Sequence, residues 1–436
     1  MFGFFESPEK KMRENAARWL EQAAKVWNFR RDVLGAEEAR ELNRRRDELS
    51  ARLRERAGAD QLKASIEGLE GVLRRTGGAI YPLSSLKENV EFFLVAAIVI
   101  LGIRTYFLKP MVIPTNSMWP TYYGLTAENF PPGTAAPGWG ARLFRLAAYG
   151  AVRKEIVAPK SGEVSVLLTS DSSGLHPLPM RVDGRSFIFF PAKLSEYTFF
   201  VDDEPVKIRL NEDFHDFDRV FMETWFPQPE QFRAQLEKAK SEGAIKVVSV
   251  TANTGETYQA YRVPLGRTVQ AGDPLVRFDL MKGDMLVIDC VSYHFVRPKI
   301  GSGFVFETGK IPQLLLEGYP DEYFIKRLAG LPGDRIEIRE PAIYRNGKPI
   351  EGAAAFEANA RREGLYRGYF NDPMGRAPNL RAGVTLTVPP RSYLALGDNS
   401  LISEDGRYWG FVPDKEVMGR PLFIYYPFTR RWGPAK

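Results

Sequence analysis

Ser117 lies in the run Ile113-Pro114-Thr115-Asn116-Ser117-Met118-Trp119-Pro120-Thr121, just after an apolar segment, and Lys326 lies in Tyr323-Phe324-Ile325-Lys326-Arg327-Leu328-Ala329-Gly330-Leu331-Pro332-Gly333-Asp334. A serine hydroxyl is a weak nucleophile at neutral pH until a base takes its proton, and a lysine can be that base only where burial keeps its amine neutral. Ile325 and the Leu328 to Leu331 run supply apolar surroundings. These residue types in these settings suggest a Ser/Lys hydrolase.

Composition narrows the rivals. The chain has 436 residues with three histidines and one cysteine, long enough for two or three domains. A Ser-His-Asp triad would need His176, His215 or His294, and none stands in a nucleophile-elbow or base-like context. Zinc sites need clustered Cys and His, which are scattered here, so no metal and no cofactor is expected. Cys290 cannot form an internal disulfide. The net charge of +6 comes from 60 basic residues spread among 54 acidic ones, which reads as weak attraction to anionic lipid or no signal, and not as nucleic-acid binding.

The elements that must position the pair begin with a charged helical segment. Ser7-Pro8-Glu9 offers a cap, a proline at the first helical position and an early acid, and Gly35 can end the helix that follows. Leu42, Leu49 and Leu53 are spaced by seven and four, and Leu62, Ile66, Leu69 and Leu73 resume the pattern after Ala57-Gly58-Ala59-Asp60. That spacing predicts a coiled-coil hairpin, a self-associating helix, or a solvated helical spacer. From Phe92 the chain is apolar to Ile103, then Arg104 and Tyr106-Phe107-Leu108 follow. With Arg104 snorkelling, a helix from Phe92 to Leu108 reaches about 25 Å, enough for a thin bilayer. No small-residue cleavage site precedes the charged segment, so the run is expected to be an anchor and not a removable signal. Positive-inside bias is mild, and a cytoplasmic N-terminus is the simpler topology.

Beyond the anchor, short β-like runs alternate with glycine and proline. Strands are expected at Val164–Leu168, Phe187–Phe190, Val247–Val250, Met285–Ile288, Phe304–Phe306, Ile336–Ile338 and Tyr393–Leu396. Arg345-Asn346-Gly347-Lys348 reads as a hairpin turn, and the main helices as Ala141 to Val152 and Pro229 to Glu242. The fold class expected is therefore mainly β, with an N-terminal helical hairpin and one transmembrane helix before an antiparallel β domain.

The order apolar anchor, Pro114-Thr115-Asn116-Ser117-Met118-Trp119-Pro120-Thr121, Gly283-Asp284-Met285-Leu286-Val287, Arg297-Pro298-Lys299-Ile300-Gly301, the Lys326-Arg327 run, and Gly397-Asp398-Asn399 through Arg407-Tyr408-Trp409-Gly410-Phe411-Val412-Pro413 resembles bacterial type I signal peptidase. The likeness covers Phe92 to about Pro120 and about Lys282 to the C-terminus, somewhat under half of the chain. It implies that Ser117 is the nucleophile and Lys326 the general base, with Arg327 not catalytic. It implies also that Thr115 helps the Ser117 amide stabilise the oxyanion, and that Ser403, Asp405 and Arg407 support the lysine and the site. Asn116 and Trp119 depart from the smaller or more flexible residues common there, Ser400-Leu401-Ile402 from a usual polar stretch, and Ser302-Gly303 from an Asp that usually opens its strand.

The largest departure is an insert of about 160 residues between Thr121 and Lys282. Its ends, Val157 to Val164 and Val263 to Val276, look like two halves of a biotinyl/lipoyl-type barrel, each a strand, a glycine turn and a strand. No lysine sits in a cofactor-attachment setting, so the insert reads as a structural or docking module.

The expected organisation is a cytoplasmic charged helical region at 1–88, an anchor at 89–109, a catalytic domain at 110–121 and 282–436, and a β-rich insertion at 122–281. The expected activity is removal of signal peptides from exported preproteins by a serine endopeptidase of the bacterial inner membrane, with its catalytic domain extracytoplasmic. Expected partners are preproteins, the lipid bilayer, and a partner or second copy at the N-terminal helices. Two rivals remain. A self-cleaving SOS-type repressor would need a DNA-binding helix-turn-helix and a cleavable linker in a soluble chain. A non-enzymatic membrane-anchored secretion adaptor would use the helices and the insert, with no reason to carry Ser117 and Lys326 in matching blocks.

Overall fold

A computed structural model of the chain describes residues 8–81, 85–171, 174–186, 190–316, 318–319 and 321–435. The chain divides into two compact units, Met1–Gly102 and Ile103–Lys436.

In the first unit, helices α1 (Pro8–Arg30), α2 (Ala36–Arg54) and α3 (Ala59–Thr76) pack together. Gly35 opens α2, its amide donating to the Glu38 carboxylate at 3.2 Å, which satisfies one of the free N–H groups of a helix start. The Ser7 cap lies outside the described residues. Leu42 and Leu49 of α2 bury themselves against Leu62, Ile66, Leu69 and Leu73 of α3. The third side is closed by α1, through Ala16, Ala23 and Val26. A coiled-coil hairpin, a self-associating helix or a solvated spacer was expected, and a three-helix bundle is found. The α1 stripe, Met12, Ala16, Trp19, Leu20, Ala23, Val26 and Trp27, recurs at helical spacing and packs against the two leucine-bearing helices.

Helix α4 (Ser85–Tyr106) differs in kind. Its Asn89–Tyr106 window has mean hydropathy 1.6 and none of it is buried, a surface that water penalises and lipid does not. Its 22 residues span about 33 Å at 1.5 Å per residue. The helix stops at Tyr106, and Leu108–Val112 is already a strand, two residues before the helix end expected from the apolar run.

In the second unit every strand pair is antiparallel. An eight-stranded sheet runs in the order 108–112, 285–289, 417–426, 303–307, 323–330, 392–396, 411–413, with 433–434 added to 417–426. A four-stranded sheet at 335–349 and 386–387 packs beside it through Ile336, Ile338, Ile343, Leu394 and Leu396. The expected hairpin turn is present, with Asn346 and Gly347 at φ 54° and 81° joining Ala342–Arg345 to Lys348–Pro349, the left-handed pair of a two-residue hairpin loop.

Residues between Thr126 and Met281 build a seven-stranded and a three-stranded sheet around a separate core. The segments that sequence pairs as two halves do meet: Val166 lies opposite Val263 and Ile156 opposite Val276, and the Ala158 amide donates to the Asp273 carbonyl at 2.8 Å. Three helices decorate them: α5 (Trp139–Tyr149), α6 (Phe217–Trp225) and α7 (Pro229–Ser241). The helix expected at 141–152 ends earlier, because Gly150 at φ 62° turns the chain out and Val152 opens a strand. Helix α6 had no reading from sequence, being nine residues long, yet Phe217, Val220, Phe221 and Trp225 are all buried. Of the strand expected at Phe187–Phe190, residues 187–189 lie outside the described residues. Helix accounts for about a third of the chain, as much as strand, so "mainly β" describes the second unit better than the whole.

Because the leucine stripe is consumed inside the bundle, Leu69→Ala should cost about 2–5 kcal/mol. Hydrogen exchange of the full chain in detergent should show the loss of protection confined to α1, α2 and α3, with the sheets unaffected.

Candidate active site

Ser117 sits in a turn between the first strand and a loop that returns at Gly124. Backbone bonds bracket that loop: the Ile113 amide donates to the Asp284 carbonyl, the Asp284 amide to Tyr123 and the Leu125 amide to Pro114, at 2.8 to 2.9 Å. Asn116 staples it internally, Oδ1 accepting from the Gly124 amide at 2.9 Å and Nδ2 donating to the Leu125 carbonyl at 3.0 Å. The residue that departs from the family pattern therefore has a clear structural use. Gly283 is required by space, since a Cβ there would lie 2.0 Å from the Ile113 carbonyl oxygen. Its neighbour Asp284 is fully buried, accepts from the Tyr123 amide, and is gripped by the Arg431 guanidinium at 2.8 and 2.9 Å.

Lys326 projects from the Tyr323–Gly330 strand, paired with Phe304 on the neighbouring strand. Consecutive strand residues point to opposite faces, which separates two adjacent cations. Lys326 is 4 % exposed, and its Nζ donates to Ser117 Oγ at 2.6 Å. Arg327 turns the other way: Nε and Nη2 donate to Asp398 Oδ1 and Oδ2 at 2.7 and 2.6 Å, and Nη1 to the Gly301 carbonyl at 2.7 Å. Thr121 and Tyr369 hydroxyls complete the shell of Asp398. Arg327 is thus a buried tie between strand and loop.

Burial lowers the Lys326 amine to about 8; Asp405 and Asp398 pull it upward and Arg407 pushes it down. Loss of hydration disfavours the ammonium form, and the carboxylates stand too far or too committed to restore it. With the amine neutral, the hydrogen bond reverses and the Ser117 hydroxyl donates to Nζ. That is the geometry of an activated serine.

The Gly397–Arg407 segment walls this pair. The Asn399 amide donates to the Ser117 carbonyl at 3.0 Å and its Nδ2 to the Asn116 carbonyl at 3.1 Å. A Cβ on Gly397 would collide with Ser403 Oγ and approach the Ser117 carbonyl at 2.6 Å. Asp405 accepts from the Gly397 amide and from Arg407 Nε and Nη2, at 2.8 to 2.9 Å. Arg407, 1 % exposed, also donates to the Ser400 and Ser403 carbonyls, the Ser400 hydroxyl and the Phe370 carbonyl. In the departing Ser400-Leu401-Ile402 stretch, Ser400 is buried and engaged while Leu401 and Ile402 are exposed.

The structure brings Ser117 and Lys326 into contact and sets Asp405 and Arg407 in the adjoining wall. It does not join Ser403 to Lys326: the Ser403 hydroxyl is buried without a hydrogen-bond partner among the described residues. Thr115 lies in the same bend as Ser117, and neither its hydroxyl nor the Ser117 amide is engaged by a hydrogen bond among the described residues. Sequence reasoning assigned no role to Asp398, Asn399 or Arg431. The Gly-Asp-Asn run flagged the first two, whereas nothing local marks Arg431, 147 residues from Asp284. Among the described residues no three His, Cys, Asp or Glu side chains gather as a metal site.

Removing one partner of a buried ion pair leaves a desolvated charge, which typically costs about 3–5 kcal/mol. Asp398→Ala should show a loss of that size by denaturant unfolding in detergent, and Tyr369→Phe, which removes a 3.3 Å bond, at most about 1 kcal/mol.

A family model described as signal peptidase, peptidase S26, matches residues 276–426, so Lys326, Ser403, Asp405 and Arg407 fall inside the match and Thr115 and Ser117 before it. A probable signal peptidase I-1 of Synechocystis is 34% identical over 156 residues, 35% of this chain and 67% of that protein. A signal peptidase I of Leptolyngbya laminosa is 32% identical, with 34% of this chain and 62% of that protein covered, and a signal peptidase IB of Staphylococcus aureus is 26% identical, with 34% and 72% covered. A solved signal peptidase I from Enterococcus faecalis is 27% identical, covering 29% of this chain and 97% of that one, with a TM-score of 0.22. The chain spans about two thirds of the length of these curated relatives. On the identity shared with the Synechocystis protein over that length, the chain belongs to the type I signal peptidases of peptidase family S26.

Proposed function

We propose that this chain is a membrane-anchored serine endopeptidase that removes signal peptides from exported preproteins. The observation that carries the reading is the 2.6 Å contact between Lys326 Nζ and Ser117 Oγ in a buried setting that lowers the amine to about 8. Neutral Lys326 takes the Ser117 proton as Oγ attacks the scissile carbonyl, and the developing oxyanion is met by the Ser117 amide and the Thr115 hydroxyl. On collapse the Lys326 ammonium protonates the leaving amine. The same lysine then deprotonates the water that releases the acyl group from Ser117.

Asp405 and Arg407 act through position, holding Gly397, Ser400 and Ser403 against the serine segment. Ser403 offers an unengaged hydroxyl in the same wall, in keeping with the lysine-supporting role that the family resemblance gives it. Residues 110–121 and 282–436 form the catalytic domain in this reading, and 122–281 is an inserted module for structure or docking. The 89–109 segment anchors the chain in the bacterial inner membrane, with 1–88 cytoplasmic and the rest outside. A partner or second copy meeting the N-terminal bundle would do so through its charged outer faces, because the leucines are already buried. The adaptor alternative is not favoured, since an adaptor has no use for a buried lysine on a serine hydroxyl.

In detergent, Ser117→Ala and Lys326→Ala should each abolish preprotein cleavage while leaving expression and folding intact, and the double variant should be no worse than either, because the pair acts as one unit. Thr115→Val should lose less, on the order of 10²-fold in kcat. Near-normal turnover by Lys326→Ala would sink the assignment.

The pH dependence has a definite sign. The active form of Lys326 is the neutral one, so kcat/KM should climb as pH rises through about 8 and level off above it. Arginine stays protonated throughout that range, so Lys326→Arg should be inactive. A profile still rising at about pH 10.4, the ordinary lysine value, would contradict the buried neutral amine.

A further inference from the structure

Helix α5 has its polar and apolar faces reversed for a protein surface in water. At 3.6 residues per turn, Arg145, Ala148 and Tyr149 share the face turned to the protein, and they are its half-buried residues. Arg145 Nε donates to the buried Asp279 carboxylate at 3.0 Å and Nη2 to Glu128 at 2.5 Å. The opposite face carries Trp139, Leu143 and Leu146, with Phe144 at its edge, and these are 81%, 56%, 48% and 62% exposed. No residue of the helix is buried. A surface helix ordinarily turns its apolar stripe to the core and its charges to solvent; here an ion-paired arginine holds the helix while the apolar stripe faces away.

The patch extends beyond α5. The Phe428 amide donates to the Ala148 carbonyl at 2.9 Å and the Tyr426 hydroxyl to the Leu146 carbonyl at 3.2 Å, which sets the exposed rings of Phe428 and Trp432 next to the helix. Arg142 on α5 and Arg430 between Phe428 and Trp432 are exposed, α5 itself contains no acid, and the half-exposed Glu128 beside it is paired with Arg145. Tyr426 pairs with Met285, and Met285 with Val112 at the end of the strand that starts two residues after α4.

We propose that α5 lies in the membrane interface, its Trp139, Leu143, Phe144 and Leu146 face seated at the boundary between headgroups and acyl chains of an anionic bilayer. The proposal rests on the membrane-anchored reading above. A bilayer is the occupant that fits: an exposed apolar face rimmed by arginines, with a tryptophan at the helix end, is the composition of an interfacial helix, and the exposed apolar α4 of the same chain already calls for lipid. A single span ties a catalytic unit to the bilayer at one point and does not by itself set its orientation. A second contact through α5 fixes its orientation, so that a preprotein still held in the bilayer meets Ser117 in one geometry.

The test uses the full chain with Cys290→Ser and Leu143→Cys, labelled with an environment-sensitive NBD fluorophore and reconstituted in phosphatidylethanolamine–phosphatidylglycerol vesicles. Co-flotation, measured first, reports the span by itself. Expected is a blue-shifted emission quenched by lipids carrying a nitroxide near the headgroup, while the same label at Lys240→Cys on α7 stays water-like. Water-like, unquenched emission at position 143 in a chain that floats overturns the proposal. So does self-quenching that rises with the protein-to-lipid ratio, which would put a second copy on this face. These readouts need no turnover, so they stand apart from the peptidase reading. In the activity arm, Leu143→Glu combined with Leu146→Glu should cleave a short soluble peptide at the wild-type rate but lose on the order of tenfold to a hundredfold on a vesicle-embedded preprotein. Equal rates on both substrates would overturn it.

Discussion

The removal of one amine from water organises the second unit. A lysine in contact with solvent would be protonated at neutral pH and could not accept a proton from serine. At 4 % exposure, between Phe304 and Phe324 and against Ser117, Lys326 loses enough hydration to bring its pKa to about 8. Keeping it dry requires walls on every side that are themselves polar where they carry backbone and rigid where they meet the serine. The Gly397–Arg407 segment supplies that wall, and its dense bonding to Arg407 follows from the need to satisfy many buried carbonyls at once.

Burying a guanidinium is costly, and Arg327 and Arg407 meet the cost in the same way, with a two-pronged carboxylate partner and further carbonyl acceptors. Arg407 binds mostly within its own segment, whereas two other buried-carboxylate pairs tie together segments far apart in the chain. Arg327 joins its strand to Asp398, and Arg431 joins the C-terminal loop to Asp284 beneath the serine turn. These pairs make the position of Ser117 depend on the completed fold. The orphan hydroxyl of Ser403 stands out within this bonding, because an unpaired buried donor is costly, about 1–3 kcal/mol, unless chemistry uses it.

Residues 126–281 carry their own core, between a seven-stranded and a three-stranded sheet. Neither folding nor the dyad accounts for the exposed apolar face of α5 in this region. Lipid contact accounts for both its direction and its arginine tether.

By itself the sequence pointed to Ser117 and Lys326 as the candidate pair, and it carried the long apolar helix, most strands and the hairpin at Asn346-Gly347. These are legible because period-two alternation, turn residues and motif blocks are local properties. Only the tertiary structure decided that Lys326 is dry and in contact with Ser117, that Asn116 staples the serine loop, and that Arg431 supports it. It also decided that the leucine seam closes on α1, and that α5 points its apolar face outward. Burial, pairing across hundreds of residues and the face that a helix turns to its protein arise from packing, and no short window of sequence contains them.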